Sequence, residues 1–105
     1  MKDITGPQVL ETLQQYISSA PVLVVDFFAP WCGPCKMLGP QLEKLKDVTV
    51  IKINGDNEDA AVQSKVDKIM AHYQVTAYPT VLIFKHCKLV QKVVGANMNA
   101  IKAAL

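Results

Sequence analysis

The chain has 105 residues, of which 50% are apolar, so we predict a single domain spanning residues 1–105 with its own hydrophobic core. Its 11 basic and 9 acidic residues are interleaved and give a formal net charge of +2, which provides no electrostatic basis for binding nucleic acid. The longest apolar run, Val22 to Ala29, is too short to cross a bilayer and the first residues lack a secretory-signal pattern, so we expect a cytoplasmic protein without a membrane partner.

The predicted elements alternate between strands and helices over most of the chain. Lys2 to Ile4 is consistent with a short edge strand, and Pro7 opens a helical pattern. Val22 to Phe28 is apolar apart from Asp26, as expected for a strand that is covered on both faces. Apolar residues then recur at helical spacing from Cys35 to Leu45, which predicts a second helix.

The later elements end in a hairpin. Thr49 to Ile53 is a second buried strand, and Asp56 to Tyr73 is a longer helical stretch. Val81 to Phe84 and Leu89 to Val94 are predicted strands joined by a tight turn, and Asn97 to Leu105 is a short final helix. The order βαβαβα followed by ββα predicts an α/β fold in which a central mixed β-sheet carries helices on both faces.

Two of the three cysteines form a Cys-x-x-Cys pair at a predicted junction of strand and helix. Unpaired N–H groups and the helix dipole favour negative charge at a helix start, so we predict that the pKa of Cys32 is lower than that of a free thiol. Cys35 lies one helical turn further, within reach of a disulfide with Cys32. Gly33 permits the tight turn and Pro34 stiffens it. In a cytosolic chain this arrangement favours thiol–disulfide chemistry.

Asp26 interrupts an otherwise apolar strand. Burial disfavours the charged form of a carboxylic acid, so we predict that the pKa of Asp26 is raised. A buried acid near Cys35 can accept the proton of that thiol, through a water molecule. Lys52 stands between Ile51 and Ile53, and strand alternation favours an exposed lysine there.

Three segments carry a resemblance to a known family. Val24 to Met37, with the sequence VVDFFAPWCGPCKM, resembles the active-site stretch of the thioredoxin family almost residue for residue. Ala77 to Thr80 resembles the cis-proline loop of that family, and Lys92 to Ala96 resembles the glycine turn before its last helix. The resemblance covers almost the whole chain. It implies the thioredoxin fold and a thiol–disulfide oxidoreductase that reduces disulfides in proteins.

The resemblance also implies roles for individual residues. Asp26 is expected to be the proton acceptor for Cys35. Lys52 would be directed at Asp26 and tune it, so this interpretation and that of an exposed lysine both stay open. A cis Tyr78–Pro79 bond is expected, with the local backbone open to an extended substrate segment. An apolar rim around Cys32 is expected from Trp31, Gly33, Pro34, Tyr78, Pro79, Gly95 and Ala96.

The same resemblance implies the reaction partners. Cys32 would attack a disulfide of a protein substrate, Cys35 would resolve the mixed disulfide, and an NADPH-dependent thioredoxin reductase would recycle the pair. The chain has no nucleotide-binding glycine fingerprint, so we expect no bound cofactor. We also expect a monomer without a metal.

The sequence also allows two alternative functions, an oxidase or isomerase of the same fold and a binding module without catalytic activity. Oxidases and isomerases of this fold usually carry histidine between the cysteines, whereas this chain has Gly33 and Pro34 there. A pure binding module would need neither the cysteine pair nor Asp26, so their presence argues against it.

The chain departs from the family pattern in several places. Phe28 occupies a position where many members carry tryptophan. The chain is also shorter between Pro40 and Lys52 and longer between Asp56 and Val75, so we expect a truncated second helix and an extended third one. The longer segment either only covers the sheet or alters the choice of partner.

Cys87 stands in the predicted hairpin turn, where the family usually has glycine. A two-residue hairpin turn requires positive φ, so we expect a different type of turn or a strained one. Lys85, His86 and Lys88 favour a reactive thiolate, so Cys87 is a candidate regulatory thiol for glutathionylation or an intermolecular disulfide; the alternative is an inert surface cysteine. The residue types of a zinc site are present in Cys32, Cys35, His86 and Cys87. We do not expect such a site, because two of these ligands, His86 and Cys87, are adjacent in the sequence.

Overall fold

The computed structural model describes all 105 residues and confirms the predicted order of elements. Five strands form one sheet: β1 (Lys2–Asp3), β2 (Val22–Phe28), β3 (Thr49–Asn54), β4 (Thr80–Lys85) and β5 (Lys88–Val94). The four helices are α1 (Val9–Ser19), α2 (Gly33–Glu43), α3 (Ala60–His72) and α4 (Met98–Ala103). The spatial order is β1-β3-β2-β4-β5; β3 is parallel to both β1 and β2, whereas β4 is antiparallel to both β2 and β5. The predicted mixed sheet is therefore confirmed.

The helices cover both faces of the sheet. On one face, α1 and α3 share a buried cluster with Leu23, Val25 and Phe27 of β2. On the other face, α2 and α4 share a second cluster with Val24 of β2 and with β4. Successive residues of a strand point to opposite faces. Asp26, two positions after Val24, therefore lies on the face that α2 covers.

Helix α3 begins at Ala60, so the prediction that it starts at Asp56 is wrong. The side chain of Asp59 caps the helix by accepting hydrogen bonds from the N–H groups of Ala61 and Val62 at 2.9 and 3.1 Å. Such a cap fixes the start of a helix because it satisfies N–H groups that have no partner within it. Residues 56–59 are therefore left as a loop at the carboxyl end of β3. None of the four helices has the length and apolar character that spanning a membrane requires.

The hairpin between β4 and β5 turns through His86 and Cys87, whose φ angles are 50° and 70°. Two consecutive positive φ angles characterise a type I′ turn, which suits the twist of a hairpin. Of the two expectations for this turn, strain at Cys87 is the one found. The Cys87 side chain is exposed, and its Sγ donates a hydrogen bond to the carbonyl of Ser18 at 3.7 Å. Its proposed modification stays a prediction.

Replacing Cys87 with glycine will stabilise the fold. A residue with a Cβ at positive φ costs about 1–2 kcal/mol, and glycine does not incur this cost. We expect Cys87→Gly to be more stable than Cys87→Ala by about 1 kcal/mol in urea unfolding. The alanine variant is the matched control because it removes the thiol and its bond to Ser18 but keeps the Cβ. Equal unfolding midpoints would show that the turn is not strained at this residue.

Candidate active site

Cys32 is the N-cap of α2, directly before the first helical turn. Its backbone is extended, and its Sγ accepts a hydrogen bond from the N–H of Cys35 at 3.2 Å. Pro34 lies in the first turn, where a missing N–H removes no hydrogen bond from the helix. The helix consequently begins at Gly33 and not at the predicted Cys35. A thiolate at position 32 would face the N–H groups of this turn, an arrangement that stabilises negative charge.

The two cysteines form a disulfide, and their Cα atoms are 5.3 Å apart. With Ala29 they make a small buried cluster, against which Phe28 and Tyr78 pack. Cys32 is 5% exposed and Cys35 is 6% exposed. The oxidised pair is therefore largely covered by its neighbours, while remaining at the edge of the fold where β2 ends.

Asp26 lies on β2 and is only 2% exposed, and its Oδ1 has no hydrogen-bond partner. Burial raises the pKa of Asp26 from 3.8 to about 7, although the positive charge of Lys52 acts in the opposite direction. This agrees with the predicted shift. Asp26 and Cys35 both line a cavity of about 390 Å³. A water molecule takes up about 30 Å³ of liquid, so the cavity has room for a water-mediated path between the carboxyl and Cys35.

Lys52 is the residue paired with Asp26 in the parallel register of β2 and β3. It is half-buried and lines the same cavity as Asp26. Its Nζ lies 5.1 Å from the centroid of the Phe28 ring, which neighbours Asp26 along the same face. Of the two interpretations left open by the sequence, the location of Lys52 therefore fits a lysine directed toward Asp26 and not a fully exposed one.

The rim around the disulfide begins with Trp31, whose side chain is 66% exposed. Its Nε1 donates a hydrogen bond to Oδ2 of Asp56 at 2.6 Å, and its ring meets the ring of Tyr78 edge to face at a centroid distance of 5.8 Å. The Tyr78–Pro79 peptide bond is cis, as the resemblance implies. Neither the backbone N–H nor the carbonyl of Tyr78 has a hydrogen-bond partner within the chain. A free peptide edge therefore lies close to the disulfide.

The remaining rim residues adjoin this edge. The N–H of Gly95 donates to the carbonyl of Pro79 at 2.8 Å, and Gly95 has a φ of 94°, a conformation that favours glycine. Ala96 follows it and is exposed, as are Gly33 and Pro34 at the start of α2. The structure thus brings the predicted rim residues together at the end of the sheet that carries the cysteine pair.

Gly55 and Asp56 belong to the site but were not identified from the sequence. A Cβ at Gly55 would overlap the ring and hydroxyl of Tyr78, so this glycine leaves the space in which Tyr78 lies. Burial, together with the negative charges of Asp56 and Asp67, raises the pKa of Tyr78, so its phenol stays protonated near neutral pH. The position of Gly55 and Asp56 in the sequence could have identified them. Because β2 and β3 are parallel, the polar segment after β3 lies at the same sheet edge as the residues after β2.

His86 and Cys87 lie away from this site. Lys85 pairs with Val22 at the beginning of β2, whereas Cys32 follows the end of that strand. The four residues of the disfavoured zinc set are therefore not brought together, and no group of three or more potential ligands has the geometry of a metal site.

Comparison with known proteins agrees with this geometry. The family model described as Thioredoxin matches residues 5–105. Thioredoxin-1 of Saccharomyces cerevisiae is 41% identical over 93 residues, which cover 85% of this chain and 82% of that protein. The oxidised crystal structure of mitochondrial thioredoxin 3 from Saccharomyces cerevisiae has a TM-score of 0.79 and 33% identity, and the match covers 98% of this chain and 91% of the other.

A third similar structure concerns the thiol resolving mechanism in a yeast mitochondrial 1-Cys peroxiredoxin via glutathione/thioredoxin systems. Its matching chain has a TM-score of 0.77 and 29% identity, with 98% of this chain and 91% of that chain covered. The family match spans nearly the entire sequence, and the cysteine pair, its helix and the sheet are those expected for such a protein. The chain therefore belongs to the thioredoxin family, and Cys32 and Cys35 are the active-site pair of a thiol–disulfide oxidoreductase with protein-disulfide reductase activity.

Proposed function

We propose that this chain reduces disulfides in extended segments of protein substrates and is recycled by an NADPH-dependent thioredoxin reductase. The observation that carries the proposal is the unpaired peptide edge at Tyr78, which packs against the cluster of Cys32 and Cys35. An extended segment can form strand-like hydrogen bonds with such an edge, and this contact does not depend on the side chains of the substrate. The exposed ring of Trp31 supplies apolar contact on one side of the edge, and Gly95 and Ala96 extend the contact surface.

In the first step the thiolate of Cys32 attacks one sulfur of the substrate disulfide. The substrate S–S bond breaks, a mixed disulfide with Cys32 forms, and the other substrate sulfur leaves as a thiolate that takes a proton from solvent. The hydrogen bond from the N–H of Cys35 and the helix start at Gly33 favour the attacking thiolate. The chain supplies this chemistry with its own side chains, so we propose that it uses neither a bound cofactor nor a metal.

In the second step Cys35 loses its proton and attacks the Sγ of Cys32. The mixed disulfide breaks, the Cys32–Cys35 bond forms, and the substrate leaves with both electrons of the pair. We propose that Asp26 accepts the proton of Cys35 through water in the shared cavity. Its pKa of about 7 suits a base that works near neutral pH. Lys52, the neighbour whose charge lowers the pKa of Asp26, is the proposed tuning residue.

Peroxide-reducing enzymes whose thiols have been oxidised are one class of protein substrate that we propose. The similar structure from the yeast mitochondrial peroxiredoxin system supports this choice, since it concerns the resolution of a peroxiredoxin thiol via glutathione/thioredoxin systems. We further propose that the chain acts as a monomeric single domain, without nucleic-acid or membrane partners. We propose a cytoplasmic location on the basis of the sequence; the comparisons do not decide it, since similar proteins include mitochondrial ones.

The test is a coupled assay with insulin as the disulfide substrate, NADPH and a purified thioredoxin reductase. We expect NADPH to be consumed in proportion to the insulin disulfides reduced, with Cys32→Ser as the inactive control. Insulin reduction with dithiothreitol but none with NADPH and reductase would reject the proposed recycling partner. A reduction potential well above the cytosolic glutathione range of about −220 to −260 mV would instead favour an oxidase.

A further inference from the structure

The loop from Gly55 to Asp59 leads from β3 to α3 and carries the acceptor for Trp31. Asp56 lies in this loop, and its carboxylate accepts the hydrogen bond from the indole N–H. The N–H of Asp56 itself donates to Oδ1 of Asn54 at 2.9 Å. At the β2 side, the N–H of Gly55 donates to the carbonyl of Phe28 at 2.7 Å. The loop is thus joined to the strand that leads to the cysteines.

Gln63, in the first turn of α3, bonds to the residues on either side of Asp56. Its Nε2 donates to the carbonyl of Gly55 at 2.9 Å. Its Oε1 accepts from the backbone N–H of Asn57 at 2.6 Å and from Nδ2 of the same residue at 3.0 Å. The second N–H of the amide donates to Oδ1 of Asp67 at 2.8 Å. Both donors and both acceptor positions of the side chain are therefore used.

The hydrogen bonds of Gln63 to this loop affect Trp31, because few other contacts orient the indole. The side chain is 66% exposed, and its defined contacts are the hydrogen bond to Asp56 and the edge-to-face contact with Tyr78. Tyr78 in turn lies in the space above Gly55, so both contacts of the indole depend on the position of the same loop. A binding surface that is ordered before the substrate arrives avoids the entropic cost of ordering it during binding.

We infer that Gln63 is a positioning residue for substrate docking: its amide fixes Gly55 and Asn57, and through Asp56 and Tyr78 it holds the indole of Trp31 beside the free peptide edge. This inference rests on the proposed docking of protein substrates at that edge. Gln63 touches neither the cysteines nor Asp26, so the exchange chemistry itself does not depend on it.

The experiment compares Gln63→Met with Asp67→Ala. Methionine keeps the length and helix preference of glutamine but removes all four hydrogen bonds. Asp67→Ala is the matched control, because it removes the outer partner and leaves the bonds to Gly55 and Asn57. The loss of the Asp67 charge leaves the Tyr78 phenol protonated near neutral pH, because that charge acts to raise its pKa and burial still does so. We expect Gln63→Met to raise the KM for insulin about fivefold with little change in kcat, the effect of losing about one ordinary hydrogen bond. The control should keep the wild-type KM.

Two further measurements separate positioning from a structural effect. Trp31 is the only tryptophan, so its fluorescence anisotropy reports directly on the indole and should fall in Gln63→Met but not in Asp67→Ala. Reduction of hydroxyethyl disulfide, which is too small to need the docking edge, should keep its wild-type rate. Circular dichroism verifies the fold. If Gln63→Met does not fold, Gln63→Glu replaces it, since glutamate keeps the acceptor for Asn57 and loses the donor to Gly55.

An unchanged KM for insulin or an unchanged anisotropy in the folded variant would overturn the inference. Equal losses with insulin and with hydroxyethyl disulfide would also overturn it, because they would mean that Gln63 acts on the cysteine pair. If the wild-type chain reduces hydroxyethyl disulfide but not insulin, the proposed docking of protein substrates is rejected, and the role of Gln63 is rejected with it.

Discussion

Replacing Cys35 with serine will stop the catalytic cycle at the mixed disulfide. Cys32 keeps its place at the start of α2, so it still attacks a substrate disulfide. A serine hydroxyl at position 35 stays protonated near neutral pH and does not displace the substrate from Cys32. We expect turnover to fall by about three orders of magnitude or more, as for loss of a group that acts as a unit with the nucleophile. The trapped product is a covalent complex of one chain with one substrate.

The measurement is electrophoresis without reducing agent, followed by mass spectrometry of the complex. Both proteins are prepared with Cys87→Ser so that the exposed third thiol forms no adducts. The matched control, Cys32→Ser, should trap no substrate, since Cys35 lies within α2 and its Sγ has no helix N–H bond of the kind that favours a thiolate at Cys32. Binding of partners without any covalent complex in Cys35→Ser would support a non-catalytic binding module and contradict the assigned mechanism.

Replacing Asp26 with alanine will stabilise the protein at high pH. The unfolded chain releases the Asp26 proton near pH 3.8 and the folded protein near pH 7, so the folded state holds the extra proton between these values. Wild-type stability must therefore fall as the pH rises through this interval and remain low above it. A tenfold change in an acid constant corresponds to about 1.4 kcal/mol, so the full penalty is about 4 kcal/mol. Asp26→Ala removes it.

Urea unfolding of the oxidised protein tests this expectation. The variant should exceed the wild type by up to about 4 kcal/mol above pH ~7 and by little or nothing below pH ~3, where Asp26 is neutral in both the folded and the unfolded state. Glu58→Gln, which removes an exposed carboxylate, should show no such pH-dependent difference. A constant difference between the two proteins at all pH values would mean that Asp26 is not the titrating group.

The same substitution has a kinetic consequence. Wild-type Asp26 is a base only when ionised, so resolution of the mixed disulfide should slow as the pH falls below about 7. In Asp26→Ala this inflection should be absent and the rate lower throughout. The pH dependence of stability and that of the resolution rate thus separate the destabilising effect of Asp26 from its role as a base.

The place of Cys32 at a helix start and the burial of Asp26 could be predicted because each residue breaks a local pattern. A Cys-x-x-Cys pair at the start of a helix and a carboxyl group within an apolar strand both have few physical explanations. Lys52 could not be resolved in the same way, since strand alternation describes a single strand and not the register between two. Only the pairing of β2 with β3 brings Lys52 next to Asp26.

The loop before α3 was missed for a different reason. Asp56 and Gln63 are polar residues in a polar segment, so neither breaks a pattern that hydrophobic periodicity could reveal. The same periodicity extended the predicted helix back to Asp56, whereas the side chain of Asp59 starts it at Ala60. Gly55 also looks like an ordinary turn residue until the ring of Tyr78 is seen to occupy its space.

The position of Cys87 on the hairpin has a practical consequence. While Cys32 and Cys35 are bonded to each other, Cys87 is the sole thiol able to react with a maleimide. The oxidised protein can therefore be coupled to a sensor surface or an electrode through one defined atom. Because the hairpin lies at the opposite end of β2 from the disulfide, every immobilised molecule would present its catalytic end to the solution.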